Sequence, residues 1–201
     1  MPIPTALRTL LKPEDILKQL GIRAGWRVVD CGCGAGYYLA PAARFVGAQG
    51  RVVGIDVRSA AVDEARRRVE LAGVADRVDV FRADLTRPQA SGLPDGWADL
   101  VLLVSMLYQS EPRSVLQEAA RIAKPADGRV VVIEWEQVAT PLGPPPEQRV
   151  MRDTVLAAAK AAGMMFLSSF TPSPYQYGLM FVRPQASSAA EPPRRAGNVE
   201  V

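Results

Sequence analysis

Strand-like and helix-like hydrophobic patterns alternate from Pro13 to about Gly163, and this alternation restricts the fold more than any other feature of the chain. Pro13-Glu14-Asp15 followed by Ile16, Leu17 and Leu20 predicts a short helix. Proline is tolerated in its first turn, the acids suit the positive end of the helix dipole, and Gly21 stops it. Trp26 to Asp30 predicts a first strand; after a glycine-rich loop, Tyr37 to Val46 predicts a helix. Arg51 to Asp56 predicts a second strand. Ser59 is expected to cap the next helix, with Val62, Ala65, Val69 and Leu71 apolar and Gly73 as its stop. Val78 to Arg82, Ala98 to Val104 and Arg129 to Trp135 predict three more strands, with a helix from Ser114 to Ala123 before the last of them. The stretch at Ala98 reads as a strand buried on both faces.

The pattern then changes. Thr140 to Gln148 is a proline-rich loop, and Thr154 to Ala162 an alanine-rich helix. Met164 to Phe170 and Tyr175 to Arg183 predict a hairpin around Pro172-Ser173-Pro174. Together these imply a Rossmann-like doubly wound sheet, mostly parallel with an antiparallel last strand. The length of 201 residues suits a single domain, expected over residues 1–183. The Ser/Ala/Pro/Arg-rich stretch 184–201 is expected to be a disordered tail.

Composition removes several chemistries. The chain has no His, so no His can act as general base, complete a Ser-His-Asp triad or ligate zinc. Two Cys cannot close a tetrahedral zinc site, and no metal site is expected. Cys31 and Cys33 lie too close for an unstrained disulfide and read as reduced cytosolic thiols. A net charge of +3 is no nucleic-acid footprint by itself. The Arg66-Arg67-Arg68 run reads as a solvated helix face. Met1 to Leu11 does not read as a signal peptide, and no apolar run approaches the roughly 20 residues of a membrane span. The expectation is a cytoplasmic protein, monomeric or homodimeric.

A doubly wound sheet binds ligands at the carboxyl ends of its strands. Asp30-Cys31-Gly32-Cys33-Gly34-Ala35-Gly36 ends the first strand there. The glycines allow a sharp turn and close approach of a ligand. The dinucleotide fingerprint needs glycine at 37, where Tyr37 stands. Asp30 would repel a pyrophosphate and favour a cation. Asp56 ends the second strand, 20 residues beyond Gly36, where an acid accepts from both hydroxyls of a ribose. Asp84 follows the third strand, where a carboxylate accepts from an exocyclic amine such as that of adenine. Taken singly, each has a plainer reading: a tight turn, a helix cap, a turn residue before Thr86.

Taken together, the D-x-G-x-G-x-G loop, Asp56, Asp84, Ala123-Lys124-Pro125 before the fifth strand and the terminal hairpin resemble the class I S-adenosylmethionine-dependent methyltransferases. The likeness is nearest to small prokaryotic members related to the quinone-biosynthesis C-methyltransferases, where Leu142-Gly143-Pro144-Pro145 and Glu147-Gln148-Arg149 also occur. The resemblance implies S-adenosylmethionine as cofactor, with S-adenosylhomocysteine as product. It implies Asp30, Gly32, Gly34 and Gly36 at the methionine moiety, Asp56 at the ribose, and Asp84 with the Leu85 N–H at the adenine. Tyr37, Val57 and Ser105 complete the implied cofactor set.

Methyl transfer from a sulfonium is an in-line displacement whose donor is already activated, so the protein mainly supplies alignment and a dry site. A chain without His can support it. Val104-Ser105-Met106-Leu107-Tyr108-Gln109 lacks the [DN]-P-P-[FY] motif of relatives that methylate planar amino groups. The expected acceptor is a small molecule. Tyr108 and Glu134 are weak catalytic candidates; the plainer readings are packing for Tyr108 and a solvated strand end for Glu134. Arg149 reads as an anion-recognising or surface residue. The rival functions are an RNA methyltransferase and a non-catalytic S-adenosylmethionine-binding partner subunit. The paired cysteines also raise, weakly, arsenite as an acceptor.

Overall fold

The structure, a computed structural model, describes residues 12–140 and 142–185. Most of the expected tail, and Met1 to Leu11, lie outside the described residues. α1 spans Pro13–Gln19, β1 Arg27–Cys31, α2 Leu39–Val46, β2 Arg51–Asp56, α3 Ser59–Leu71 and β3 Val78–Arg82. β4 spans Leu100–Val104, α4 Pro112–Ile122, β5 Arg129–Trp135, α5 Arg152–Ala161, β6 Met165–Ser173 and β7 Gln176–Val182. The seven strands form one sheet in the order β3-β2-β1-β4-β5-β7-β6. β1 to β5 pair in parallel, and β7 runs antiparallel to both β5 and β6.

Parallel strands carry helices on both faces, so their side chains are buried on both sides. Val28, Val52, Leu100, Leu102 and Ile133 pack against α1, α2 and α3. Val29, Val53, Val101, Leu103 and Val132 pack against α4 and α5. Leu100 through Leu103 are all 0% exposed, as the continuous apolar run predicts.

Helix starts differ from the sequence reading where caps compete. α3 begins at Ser59 itself, with Arg58 as N-cap and no side-chain cap; Asp56 Oδ1 accepts the Arg58 N–H instead, at 2.9 Å. The expected Ser59 cap is therefore not formed. α4 starts two residues early because Glu111 accepts from the N–H groups of Arg113 and Ser114, with Pro112 in the first turn. Among the described residues no helix is long and apolar enough to cross a membrane.

Candidate functional site

The order of strands reverses between β1 and β4, and the carboxyl ends of β1, β2, β3 and β4 open onto one cavity of about 1330 Å³. Such a crevice is where an open α/β sheet takes its ligand. The glycine loop forms one wall. Its Gly32 and Cys33 N–H groups both donate to the Ile55 carbonyl, at 2.7 and 2.9 Å. Gly32 has φ +73°, and a Cβ there would stand 2.7 Å from the Met106 Cβ. Gly36 does not line the cavity. Its φ is +76°, and a Cβ would meet Ala65 of α3 at 3.0 Å, so this glycine serves close packing of the loop on the helix.

Of the other residues expected at a cofactor, Asp30, Gly32, Gly34, Tyr37, Asp56, Val57, Asp84, Leu85 and Ser105 all line the cavity. Asp30 is 3% exposed, and its carboxylate accepts no hydrogen bond among the described residues. Burial, with the Asp56 charge second, pushes its carboxyl up to about 7. Asp56 is already engaged: Oδ2 accepts from the Gly34 N–H and Oδ1 from the N–H and Nε of Arg58. Asp84 closes a turn on the N–H and hydroxyl of Thr86, which hold its carboxyl below the usual range, and Arg87 lies 3.4 Å away. Both acids keep further lone-pair positions for a ligand.

Sequence reasoning missed three cavity groups. Tyr38 is 7% exposed and its hydroxyl has no hydrogen-bond partner among the described residues. Arg68 donates to the Ala35 carbonyl at 2.9 Å and lies 4.3 Å from the Tyr37 ring, bracing the loop from α3. Arg66 holds the Val80 carbonyl at the sheet edge. The arginine run is thus only partly the solvated face expected, because two of its guanidiniums reach main-chain oxygens. The third miss is Trp135, whose ring faces the cavity and blocks any side chain at Gly143, where a Cβ would stand 2.6 Å away.

After β4 and β5 the cavity is lined by Ser105, Met106, Tyr108, Gln109, Ser110, Trp135 and Pro144. Glu134 is not among the lining residues and is no solvated strand end. It is 0% exposed, its Oε1 accepts the Leu107 N–H at 2.7 Å, and Oε2 has no partner among the described residues. Burial pushes its carboxyl up to about 7. Tyr108 does face the cavity, with its hydroxyl pushed up by burial and by the Glu134 charge. Arg149 is neither a surface charge nor an anion site. It is 4% exposed and donates to the carbonyls of Glu136, Val138, Leu142 and Pro144, winding the loop after β5 around itself. Cys31 and Cys33 are buried, and burial holds both thiols protonated, which makes them poor ligands for a soft metalloid.

Comparison with known proteins bears on the family and the fold. A family model described as a methyltransferase domain matches residues 28–126. The chain is 33% identical over 122 residues to methyltransferase GfsG of Streptomyces halstedii, covering 60% of this chain and 42% of that protein. It is 30% identical over 132 residues to demethylmenaquinone methyltransferase of Shouchella clausii, covering 64% and 53%. It thus spans about half the length of these curated relatives. A solved S-adenosylmethionine-dependent methyltransferase from Aquifex aeolicus superposes with a TM-score of 0.78 at 31% identity, covering 87% of this chain and 90% of that one. The chain belongs to the S-adenosylmethionine-dependent methyltransferase family. The class I fold of that family, with β7 inserted antiparallel between β5 and β6, is the fold described above.

The residues present fit the family's cofactor. A buried carboxylate at Asp30, without a partner among the described residues, suits a cationic amino acid moiety. Asp56, at the end of β2 next to the loop, suits vicinal hydroxyls. Leu85 is buried beside Asp84 and suits the flat apolar face of a base.

Proposed function

We propose that this chain transfers a methyl group from S-adenosylmethionine to a small-molecule acceptor, within the single domain read from the sequence. The observation that carries the reading is Asp30: a nearly buried carboxylate facing a cavity, with no hydrogen bond among the described residues, on the strand end nearest the sheet's switch point. An uncompensated buried charge is expensive, so a cationic ligand is its natural complement.

In this reading Asp30 and the Gly32 and Gly34 main chain hold the amino acid part of the cofactor, beside Tyr37. Asp56 takes the ribose hydroxyls, with Val57 at the rim, while Asp84 and Leu85 take the adenine. The bound cofactor supplies an electrophilic methyl group with a neutral leaving thioether. The chain's own residues bind, align and exclude water. Met106, Tyr108 and Trp135 wall the acceptor end with apolar and aromatic surface, which suits a lipophilic or aromatic acceptor. Glu134 acts at one remove, by holding the Leu107 N–H and so the turn that carries Met106 and Tyr108.

Single-turnover assays with radiolabelled S-adenosylmethionine against a panel of phenolic, enolic and amine acceptors test the reading. Label transfer to any of them supports it; transfer only to RNA would replace the small-molecule acceptor.

A further inference from the structure

Three hydrogen bonds run in one direction through the β6–β7 turn to the cavity floor. The Tyr175 N–H donates to Ser173 Oγ at 3.3 Å, Ser173 Oγ to Gln176 Oε1 at 3.4 Å, and Gln176 Nε2 to Ser105 Oγ at 3.2 Å. The chain starts at a main-chain N–H, which can only donate. Gln176 is 0% exposed and Ser173 8% exposed. Reversing the Gln176 amide would make Ser173 Oγ accept twice and leave its own buried proton without an acceptor, so the network sets Nε2 towards Ser105. Ser105 Oγ therefore receives a hydrogen bond and has its own proton left to give. No described residue accepts it, and Ser105 lines the cavity beside Met106, Tyr108 and Trp135.

The backbone adds a second observation. Ser105 has φ +52°, the left-handed region that residues other than glycine rarely adopt, and its N–H is tied to the Ile133 carbonyl at 2.8 Å. Such strain persists where surrounding bonds over-determine it, and it gathers at ligand sites. Here the main chain is fixed by β5 and the side chain by Gln176.

We infer that Ser105 is an oriented hydrogen-bond donor to the methyl acceptor, and that the acceptor presents an oxygen lone pair to it, as a carbonyl, enolate or phenolate does. The inference rests on the methyltransferase reading and moves Ser105 from the cofactor set to the acceptor. Gln176 is a positioning residue: it touches no ligand and fixes where the Ser105 proton points. A polar group set among apolar and aromatic side chains is the usual device for orienting a small ligand.

The test uses the full chain saturated with S-adenosylhomocysteine and two probes of equal shape, acetophenone and α-methylstyrene, in which a methylene replaces the carbonyl oxygen. Ligand-observed NMR titration should give acetophenone about a three- to tenfold tighter affinity, the effect of one net hydrogen bond. Ser105→Ala should abolish that preference, and Gln176→Leu should reduce it with the serine still present. Ser105→Gly, which relieves the backbone strain, should also abolish it and covers a failure of the alanine variant to fold. Equal affinities in the wild type, binding of neither probe, or a preference that survives both Ser105 variants overturns the inference. So does a loss of S-adenosylhomocysteine affinity in Ser105→Ala with the preference intact, which would return Ser105 to the cofactor. Failure of the wild type to bind S-adenosylhomocysteine at all would sink the methyltransferase reading itself; binding it without a carbonyl preference sinks only the donor.

Discussion

The Gly34 N–H donates to Asp56 Oδ2 at 2.9 Å, joining the glycine loop after β1 to the end of β2. The same carboxylate accepts the N–H of Arg58, the residue from which α3 starts. Asp56 is thus a brace for the loop as well as a candidate ligand for a ribose. Asp56→Ala should weaken S-adenosylhomocysteine binding about 10- to 100-fold, since it removes charge-assisted hydrogen bonds of about 1.5–3 kcal/mol. Asp56→Asn, which retains one acceptor, should lose less. Calorimetric titration decides; unchanged affinity in the alanine variant would contradict the site.

Asp30 and Glu134 both carry carboxyls pushed up to about 7 by burial. Their unfolded values are near 3.8 and 4.5, so between those values and 7 the native state holds more protons than the unfolded chain. Stability contributed by these two groups therefore falls as pH rises from about 5 to 7 and levels off above. Urea midpoints at pH 5, 6, 7 and 8 check this. Asp30→Asn should flatten part of the fall, and an identical slope in wild type and variant would argue against a buried, unpaired Asp30.

A related effect concerns binding. A cationic ligand favours the ionised form of Asp30, so S-adenosylhomocysteine binding near pH 6 should release protons. Titration in buffers of different ionisation enthalpy measures the number. Net proton uptake there would count against Asp30 as the partner of the ligand's cation.

Arg149 is a buried cation that answers four carbonyls and, among the described residues, no carboxylate. Arg149→Met should cost about 3 kcal/mol in urea unfolding, because several buried acceptors lose their donor together. Arg149→Lys should rescue little, since one ammonium cannot replace a planar fork spread over four oxygens. Full stability in the methionine variant would show that the loop after β5 is held in some other way.

Gly32→Ala places a methyl 2.7 Å from the Met106 Cβ at φ +73°. The loop and the Met106 turn must then separate, and S-adenosylhomocysteine binding should fall below detection while the far-ultraviolet circular dichroism stays native. Retained affinity would show that the loop tolerates a side chain where the account needs a close approach.

Much of this was legible in the sequence, for identifiable reasons. Strands such as Leu100–Val104 are apolar throughout and cannot be anything but central, and β2, β3 and β5 have the predicted bounds. Asp30, Asp56 and Asp84 share one cavity because each lies at or just past the carboxyl end of its strand. Partnerships across long separations were not legible. Nothing local distinguishes Arg149 as a buried cation or Glu134 as a buried acceptor, since both depend on where a loop folds back. Gln176 was hidden in the apolar strand of the hairpin; a lone amide between two tyrosines was its one signal. Gly36 shows the opposite limit: the motif names three glycines, but only the packing of Ala65 shows that the third serves α3 and not the cavity.

Cofactor recognition by the strand-end acids underlies the proposed function. Isothermal titration of the wild-type chain with S-adenosylmethionine, S-adenosylhomocysteine and NAD tests it. The expected result is micromolar binding of the first two and none of NAD, with both affinities reduced in Asp30→Asn and Asp56→Ala. Binding of NAD, or of none of the three, would contradict it.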